Sequence, residues 1–341
     1  MKSKNFKIIA GPCSAESREQ LLATTQQLAA GGIQVMRAGL WKPRTMPGGF
    51  EGPGEEGLPW LKEVKESTGI RVATEVATAD HVQKSIAAGI DILWIGARTV
   101  SNPFAMQAVA EALNGFDGEV MVKNPISPDI ELWCGALQRL KNCGIKKLTA
   151  IHRGFSSIVT TEYRNEPLWS IPIELKRRYP EIPILCDPSH IGGKRRLIAP
   201  LCQTAIDLGF DGLMIEVHNC PSCALTDAQQ QLTPEDFFKM LDGLDFKAHN
   251  DEKSEALNEY RSRIDDIDAQ LLALLAKRME ISQQIGEIKK QHSMSVLQPK
   301  RYSQMLEQRI LSAQSLGLSP DFVEKLMQEI HEESVKKQLL H

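Results

Sequence analysis

The chain has 341 residues, enough for one large domain and a smaller one, and its 42% hydrophobic and 24% charged residues are those of an ordinary globular protein. A formal net charge of −3 gives no global reason to expect nucleic acid or a membrane surface as a partner, so any basic cluster needs a local explanation. No apolar run approaches the ~18 residues of a membrane span, and Met1-Lys2-Ser3-Lys4 leads straight into a short strand without a signal-peptide core, which reads as a cytoplasmic protein.

From residue 6 to residue 245 one theme recurs eight times: a short apolar run, a turn, then an amphipathic stretch. The runs are Phe6 to Ala10, Ile33 to Met36, Arg71 to Val76, Ile92 to Ile95, Glu119 to Val122, Lys147 to Ile151, Ile182 to Cys186 and Gly212 to Val217. Helical stretches lie between them, among them Ser17 to Ala30, Ala79 to Ala88, Pro103 to Leu113, Asp129 to Asn142 and Arg195 to Leu208. Eight β/α units over about 240 residues predict a TIM barrel, an α/β fold. An open doubly wound sheet is the alternative, but no Gly-x-Gly-x-x-Gly follows the first strand.

A polar stretch follows Leu244 and reads as a linker over 246–256, so the domains expected are 1–245 and 257–341. Leu257, Tyr260, Ile264, Ile267, Leu271, Leu274, Ile281, Ile285 and Ile288 then recur at steps of three and four, the seam of a long helix. Two shorter helices complete an all-α, three-helix unit, one entered at Pro299 and the next opened by Ser319-Pro320.

Seven cysteines without framework spacing read as free thiols in a reducing compartment. Cys220-Pro-Ser-Cys223 has redox or zinc spacing, but no second pair follows it, and it reads as two neighbouring loop thiols.

In a barrel, chemistry is delivered from the C-terminal ends of the strands. Those ends carry Cys13; Arg37 with Lys42 and Arg44; Glu75; Arg98; Lys123; His152 and Arg153; Asp187 and His190; Glu216 and His218. Cys13, His190, Glu216 and Asp227, each just past a strand, make an open metal site for a borderline divalent ion such as Mn, Fe, Co or Zn. The competing reading makes Cys13 a small core residue and Glu216 the partner of a neighbouring base. Arg37, Lys42, Arg44, Arg98, Lys123 and Arg153 are cations that would repel one another around a small cavity unless a polyanion occupied it. The alternative is that each pairs with a local acid on the rim. A metal-dependent enzyme acting on small phosphorylated acids follows from the first reading, and the long Gly- and Pro-rich segment 41–56 serves as its lid or as a braced rim.

Gly11-Pro-Cys-Ser14, Arg37-Ala-Gly39 with Lys42-Pro-Arg-Thr45, Ile95-Gly-Ala-Arg98, Asp187-Pro-Ser-His190 and Gly212-Leu-Met-Ile-Glu-Val-His218 together resemble the short type Iβ family of 3-deoxy-arabino-heptulosonate 7-phosphate (DAHP) synthases. The resemblance implies that Cys13, His190, Glu216 and Asp227 hold the metal. It implies that Arg37, Lys42, Arg98, Lys123 and Arg153 hold phosphoenolpyruvate, and that Arg44 and Thr45 hold the phosphate end of erythrose 4-phosphate. Some members carry an N-terminal regulatory domain; with the barrel starting at once here, that control route is expected to be absent. A competing mechanism makes Lys123 a Schiff-base nucleophile.

Stepping along the seam from Leu274 to Ile281 lands on Arg278, an inward cation that needs an anion to meet it. Lys289, eleven residues on, shares its face, whereas Arg261 lies seventeen residues before it, about 25 Å along the axis, and reaches the same ligand only across a dimer of long helices. Arg261, Arg278, Lys289, Arg301, Ser334 and Gln338 resemble the site of the all-helical AroQ class of chorismate mutase. That resemblance implies conversion of chorismate to prephenate, with Arg groups on the carboxylates and Lys289 and Gln338 on the ether oxygen. The long helix exceeds what its own domain can cover, which predicts a homodimer through the helical domain, and the fusion of the two domains suggests prephenate as a feedback ligand. Tyr302 and Gln298 depart from it, standing where the family usually has a glutamate and often an aspartate. The competing reading makes the helices a dimerisation or sensing module, with Arg278 in an interhelical ion pair.

Overall fold

The computed structural model describes residues 6–42, 48–246 and 255–339, and the chain divides into two compact units, Met1–His249 and Asn250–His341. Most of the expected linker, 246–256, falls outside the described residues.

In the first unit the strands are β1 (Lys7–Gly11), β2 (Val35–Arg37), β3 (Arg71–Val76), β4 (Ile92–Ile95), β5 (Glu119–Lys123), β6 (Leu148–His152), β7 (Ile184–Cys186) and β8 (Gly212–Glu216). Each pairs in parallel with the next, and β8 closes on β1, as expected of a TIM barrel. The helices are α1 (Arg18–Ala30), α2 (Gly57–Thr68), α3 (Ala79–Ala87), the short α4 (Ala97–Val100), α5 (Pro103–Ala112), α6 (Ile130–Asn142), α7 (Ser170–Arg178), α8 (Pro188–Gly192), α9 (Ile198–Asp207) and α10 (Pro234–Asp242). Several start where the sequence punctuates them: Ser17, Asp129 and Thr233 accept backbone N–H groups of the first turns of α1, α6 and α10.

Strand alternation decides what reaches the mouth. Ile9, Val35, Ala73, Trp94, Met121, Ile151, Leu185 and Met214 fill the barrel interior, while their neighbours Ala10, Met36, Val72, Leu93, Val122, Ala150, Cys186 and Leu213 pack outward against the helices. Two residues beyond each interior position stand Gly11, Arg37, Glu75, Gly96, Lys123, Arg153, Asp187 and Glu216, one from each strand end. Gly96 lets the Glu75 carboxylate lie against the backbone here, since a Cβ would stand 2.1 Å from Glu75 Oε1.

His152 is one residue out of phase with that layer and points away from it, among the rings of Phe155, Trp169 and Phe210 at 5.7, 5.1 and 6.2 Å. Burial, with Arg153 adjacent, pushes its pKa down from 6.5 to about 3. The fold therefore favours the neutral ring, and its contribution to stability is present above pH 6.5 and lost as the pH falls toward 3. We expect the barrel to lose about 2 kcal/mol between pH 7 and pH 5 from this residue. Urea denaturation of wild type and His152→Phe at the two pH values checks it, since the variant should lack this part of the dependence.

The second unit is α11 (Glu255–Gln291), α12 (Pro299–Ser315) and α13 (Pro320–Leu339), with α13 packed on both α11 and α12. α11 and α13 approach most closely at Gly286, where a Cβ would lie 2.8 Å from the Gln338 backbone. Every seam residue of α11 from Leu257 to Ile288 keeps at least 41% of its surface exposed, so α12 and α13 do not cover this stripe.

Candidate functional site

Cys13, Glu216 and Asp227 come from the segment after β1, the end of β8 and the loop beyond it, yet they offer ligand atoms that all lie within 4.8 Å of one another. The Cys13 thiol donates to Asp227 Oδ2 at 3.2 Å. His190, on α8, brings its Nε2 to 3.7 Å from Glu216 Oε1. Its other ring nitrogen, Nδ1, lies 2.8 Å from Asp187 Oδ2, a pairing that orients the ring and leaves Nε2 toward the cluster.

The electrostatics suit a divalent cation. Burial works to raise Glu216, but His190 and Arg37 outweigh it and hold the carboxyl below its ordinary value. Asp227 is likewise held well below its usual range by His190 and Arg164 against burial. Burial lowers His190 in spite of Asp187, keeping the ring neutral at neutral pH. Cys13 is the exception: burial, Glu216 and Asp227 push its thiol up to about 12. Glu216 Oε1 is buried and makes no hydrogen bond; its neighbours are Arg37 Nη2 at 3.3 Å and His190 Nε2 at 3.7 Å. Both halves of the competing reading are also present, since Cys13 is fully buried and Glu216 lies 3.3 Å from Arg37 Nη2. They do not account for the thiol and two carboxylates sharing one small volume; His190 stands beside that group, with Nε2 3.7 Å from Glu216 Oε1, and is not within 4.8 Å of all three.

Beside this cluster is a polar cavity lined by Lys42, Glu75, Arg98, Lys123, Arg153, Arg164, His190 and Asp227. Arg37 is fully buried, its guanidinium 5.0 Å from the centre of the Trp94 ring. Lys123 donates to Asp187 at 2.8 Å. Local acids thus pair with Arg37 and Lys123, as the rim alternative supposes, but Arg153 is in a different state. Burial, Arg164 and Arg98 lower its pKa to about 10 against the pull of Asp187 and Glu75. Burial is the larger cause and the two neighbouring cations add to it, an environment that favours an anion beside Arg153. Arg44 and Thr45 lie outside the described residues. The flanks of that segment are pinned: Trp41 stacks on His81 at 4.1 Å, and the Lys42 N–H donates to the Glu51 carbonyl at 2.8 Å.

Sequence reasoning missed the braces behind these groups. Arg164 donates to Asp227 Oδ1 at 3.0 Å and to Gln230 Oε1 at 2.8 Å, and Gln230 donates in turn to Glu216 Oε2 at 2.7 Å. Gln231 accepts the Cys13 N–H at 2.9 Å. Asn165 accepts from Arg153 at 2.7 Å and donates to the His190 carbonyl at 2.6 Å, joining the cation cavity to the metal-type cluster. The available signals were the polar run Tyr163-Arg-Asn-Glu166 and the glutamines 229–231, which follow strands without belonging to a strand end.

The helical unit has a second cluster. Arg278 donates to the Ser334 hydroxyl and, at 3.5 Å, to the Ile330 carbonyl. Lys289 donates to Gln338 Oε1 at 3.0 Å and to the Val296 carbonyl at 2.7 Å. Burial, with Arg309 nearby, lowers Arg278, and burial, Arg278 and Lys289 lower His331, whose ring stacks on Tyr302 at 4.0 Å. Arg278, Lys289, Ser334 and Gln338 are therefore brought together. Arg261 is not: it is exposed far up α11, with a hydrogen bond to Asn258 at 3.5 Å. Arg301 is exposed on the first turn of α12. Arg309 and His331 are additions that the seam pattern did not reveal.

Comparisons with known proteins match each of the two units. The DAHP synthetase I family model covers residues 2–247, and the chorismate mutase type II model covers residues 260–339. Phospho-2-dehydro-3-deoxyheptonate aldolase of Thermotoga maritima is 37% identical over 69% of this chain and 68% of its own length. A crystal structure of DAHP synthase from the same organism aligns with a TM-score of 0.63 and 34% identity, over 71% of this chain and 68% of that one. The T-protein of Haemophilus influenzae is 40% identical over 80 residues, 24% of this chain, and the chain spans only 21% of that relative. With its barrel inside the first model and all but the first turn of its three C-terminal helices inside the second, the chain belongs to the DAHP synthetase I family and carries a chorismate mutase type II domain after the barrel.

Proposed function

We propose that the barrel condenses phosphoenolpyruvate with erythrose 4-phosphate to give DAHP and phosphate, and that the helical domain converts chorismate to prephenate. The convergence of Cys13, Glu216 and Asp227 within 4.8 Å beside a cavity of crowded cations is the observation that carries the first half. Cys13, His190, Glu216 and Asp227 hold a divalent ion, which when bound supplies Lewis-acid polarisation of the aldehyde oxygen. The mixture of thiolate, imidazole and carboxylate favours Mn, Fe, Co or Zn over Mg or Ca. Arg37, Lys42, Arg98, Lys123 and Arg153 clamp the phosphate and carboxylate of phosphoenolpyruvate, with Arg44 and Thr45 on the tetrose phosphate. Burial works to lower Lys42, but neighbouring acidic groups, Glu75 and Glu216 among them, outweigh it and keep it above its ordinary value, so it stays a cation at the cavity. Holding two anions at contact distance converts a two-body encounter into one step within the site, an effect of up to ~7–11 kcal/mol in well-oriented cases. The Lys123–Asp187 ion pair speaks against a free amine for Schiff-base chemistry.

In the helical domain Arg278 binds a carboxylate, Ser334 orients it, and Lys289 with Gln338 donates to the ether oxygen as charge develops there. Arg261 and Arg301 enter from the partner chain and from α12 respectively. The exposed stripe of α11 is the dimer face, in keeping with the size of apolar patches that mark interfaces. The domains are 1–245 and 257–341 about a linker at 246–256, the protein is cytoplasmic, and prephenate feeds back on the barrel. Among the described residues no helix is long and apolar enough to cross a membrane.

The test of the barrel reading is DAHP formation from the two substrates before and after exhaustive chelation. Activity should fall to background and return with Mn2+ or Co2+; full activity after chelation, or a borohydride-trapped adduct on Lys123, overturns it.

A further inference from the structure

We propose that Cys220 and Cys223 are a reversible dithiol–disulfide site whose oxidation state sets the order of the loop that delivers Asp227. The two residues bracket a single 3-10 turn, Pro221–Cys223, with their Cα atoms 5.4 Å apart and their sulfurs bonded, in place of the separate thiols expected from the sequence. They differ from the other cysteines: Cys13, Cys134, Cys186 and Cys202 are buried and Cys143 is half-buried, all five unpaired. Cys223 is exposed and Cys220 half-buried, so a small disulfide or thiol in solution can reach them.

The pair sits in the middle of the connection between Glu216 and Asp227. That connection is pinned on both sides of the turn to the chain following β1. On one side the Asn219 N–H donates to Thr24 Oγ1 of α1 at 3.2 Å, and within the connection the Cys220 N–H donates to His218 Nδ1 at 2.9 Å. On the other, Glu16 accepts the Leu225 N–H at 2.8 Å and also lies 3.4 Å from His218 Nε2. Between those pins the turn is held by two backbone bonds, from Cys223 to Cys220 and from Ala224 to Pro221. The sulfur link is the third tie. Asp227 itself has φ +49, a left-handed backbone that is uncommon outside glycine, although aspartate adopts it more readily than most residues. Opening the link removes a constraint four residues upstream of that position.

Closure is ordinary exchange with a low-molecular-weight disulfide. One cysteine thiolate attacks it, forming a mixed disulfide and releasing one small thiol; the second cysteine then displaces the other small thiol. Two protein thiols and one disulfide become one protein disulfide and two small thiols, and a dithiol reductant reverses the sequence. Only the consequence for metal binding rests on the proposed role of Asp227; the redox couple and the loop order do not.

The test uses the full chain equilibrated with reduced or with oxidised glutathione. Alkylation with mass analysis should show Cys220 and Cys223 blocked in the oxidised sample and free again after dithiothreitol. Hydrogen exchange over 219–230 should be roughly threefold or more slower in the oxidised form, and Mn2+ should bind it roughly tenfold more tightly. The C220S/C223S double variant should show the reduced exchange pattern under both conditions. Both cysteines remaining alkylatable in oxidised glutathione, or identical exchange in the two forms, overturns the proposal. Failure of Mn2+ to bind either form would remove the metal reading while the exchange result still decides this one.

Discussion

Replacing Cys13 with serine is expected to weaken Mn2+ or Co2+ binding by at least about a hundredfold, beyond the upper end of what loss of an outer-shell partner costs, and to abolish DAHP formation at ordinary metal concentrations. Of the four proposed ligands only one has to change state. His190 is kept neutral by burial, and Glu216 and Asp227 are held below their ordinary values, so at neutral pH three of the four donors are already in the form a cation needs. The Cys13 thiol, pushed up to about 12 in the metal-free protein, is the one that must surrender a proton.

Each ion bound therefore releases about one proton, and apparent affinity should rise about tenfold per pH unit as long as the pH stays below the thiol's value. Between pH 6.5 and 8.5 that is about a hundredfold, measurable by calorimetry in buffers of different ionisation enthalpy, which also counts the proton directly. Cys13→Ser should lose the slope along with the affinity, because a serine hydroxyl does not ionise in this range. A variant that kept both would mean that the ion sits elsewhere, and the competing view of Cys13 as a packing residue would stand.

The barrel was legible because parallel strands buried on both faces read as apolar runs, and eight of them in regular alternation with amphipathic stretches have few other solutions. The inward layer at the mouth was legible too, once strand period is applied: Arg37, Lys123, Arg153, Asp187 and Glu216 share one phase, and His152, which the strand-end reading counted among the mouth groups, is out of it. The braces were not legible. Arg164, Asn165, Gln230 and Gln231 lie in irregular loops, where no periodicity says which way a side chain points. Their partners are tens of residues away, and an asparagine or glutamine gives no composition signal of its own. The Cys220–Cys223 link was hidden for a different reason: pair spacing was noticed, but cysteine arithmetic weighs compartments and frameworks, and cannot see a turn that already brings two sulfurs together.

Arg278→Ala is expected to lower mutase kcat/KM about 10²–10³-fold while leaving the proposed dimer and the rate of DAHP formation intact. If Arg278 were one half of an interhelical ion pair, its partner would be a carboxylate; its hydrogen bonds go instead to a hydroxyl, Ser334, and a backbone carbonyl, Ile330. Neutral acceptors satisfy its geometry without neutralising its charge, and Arg309 adds a second positive charge close by. His331, whose pKa is lowered by burial and by Arg278 and Lys289, reports the same positive field from the α13 side. A field of that sign, on a half-buried face with Lys289 and Gln338 already joined beside it, is suited to an organic dianion rather than to another helix. Arg278→Lys separates charge from geometry: it keeps the cation but loses the planar fork, and should recover only part of the rate. Sedimentation and mutase assays on both variants decide the matter, since loss of the dimer with mutase activity retained would return Arg278 to a purely structural role.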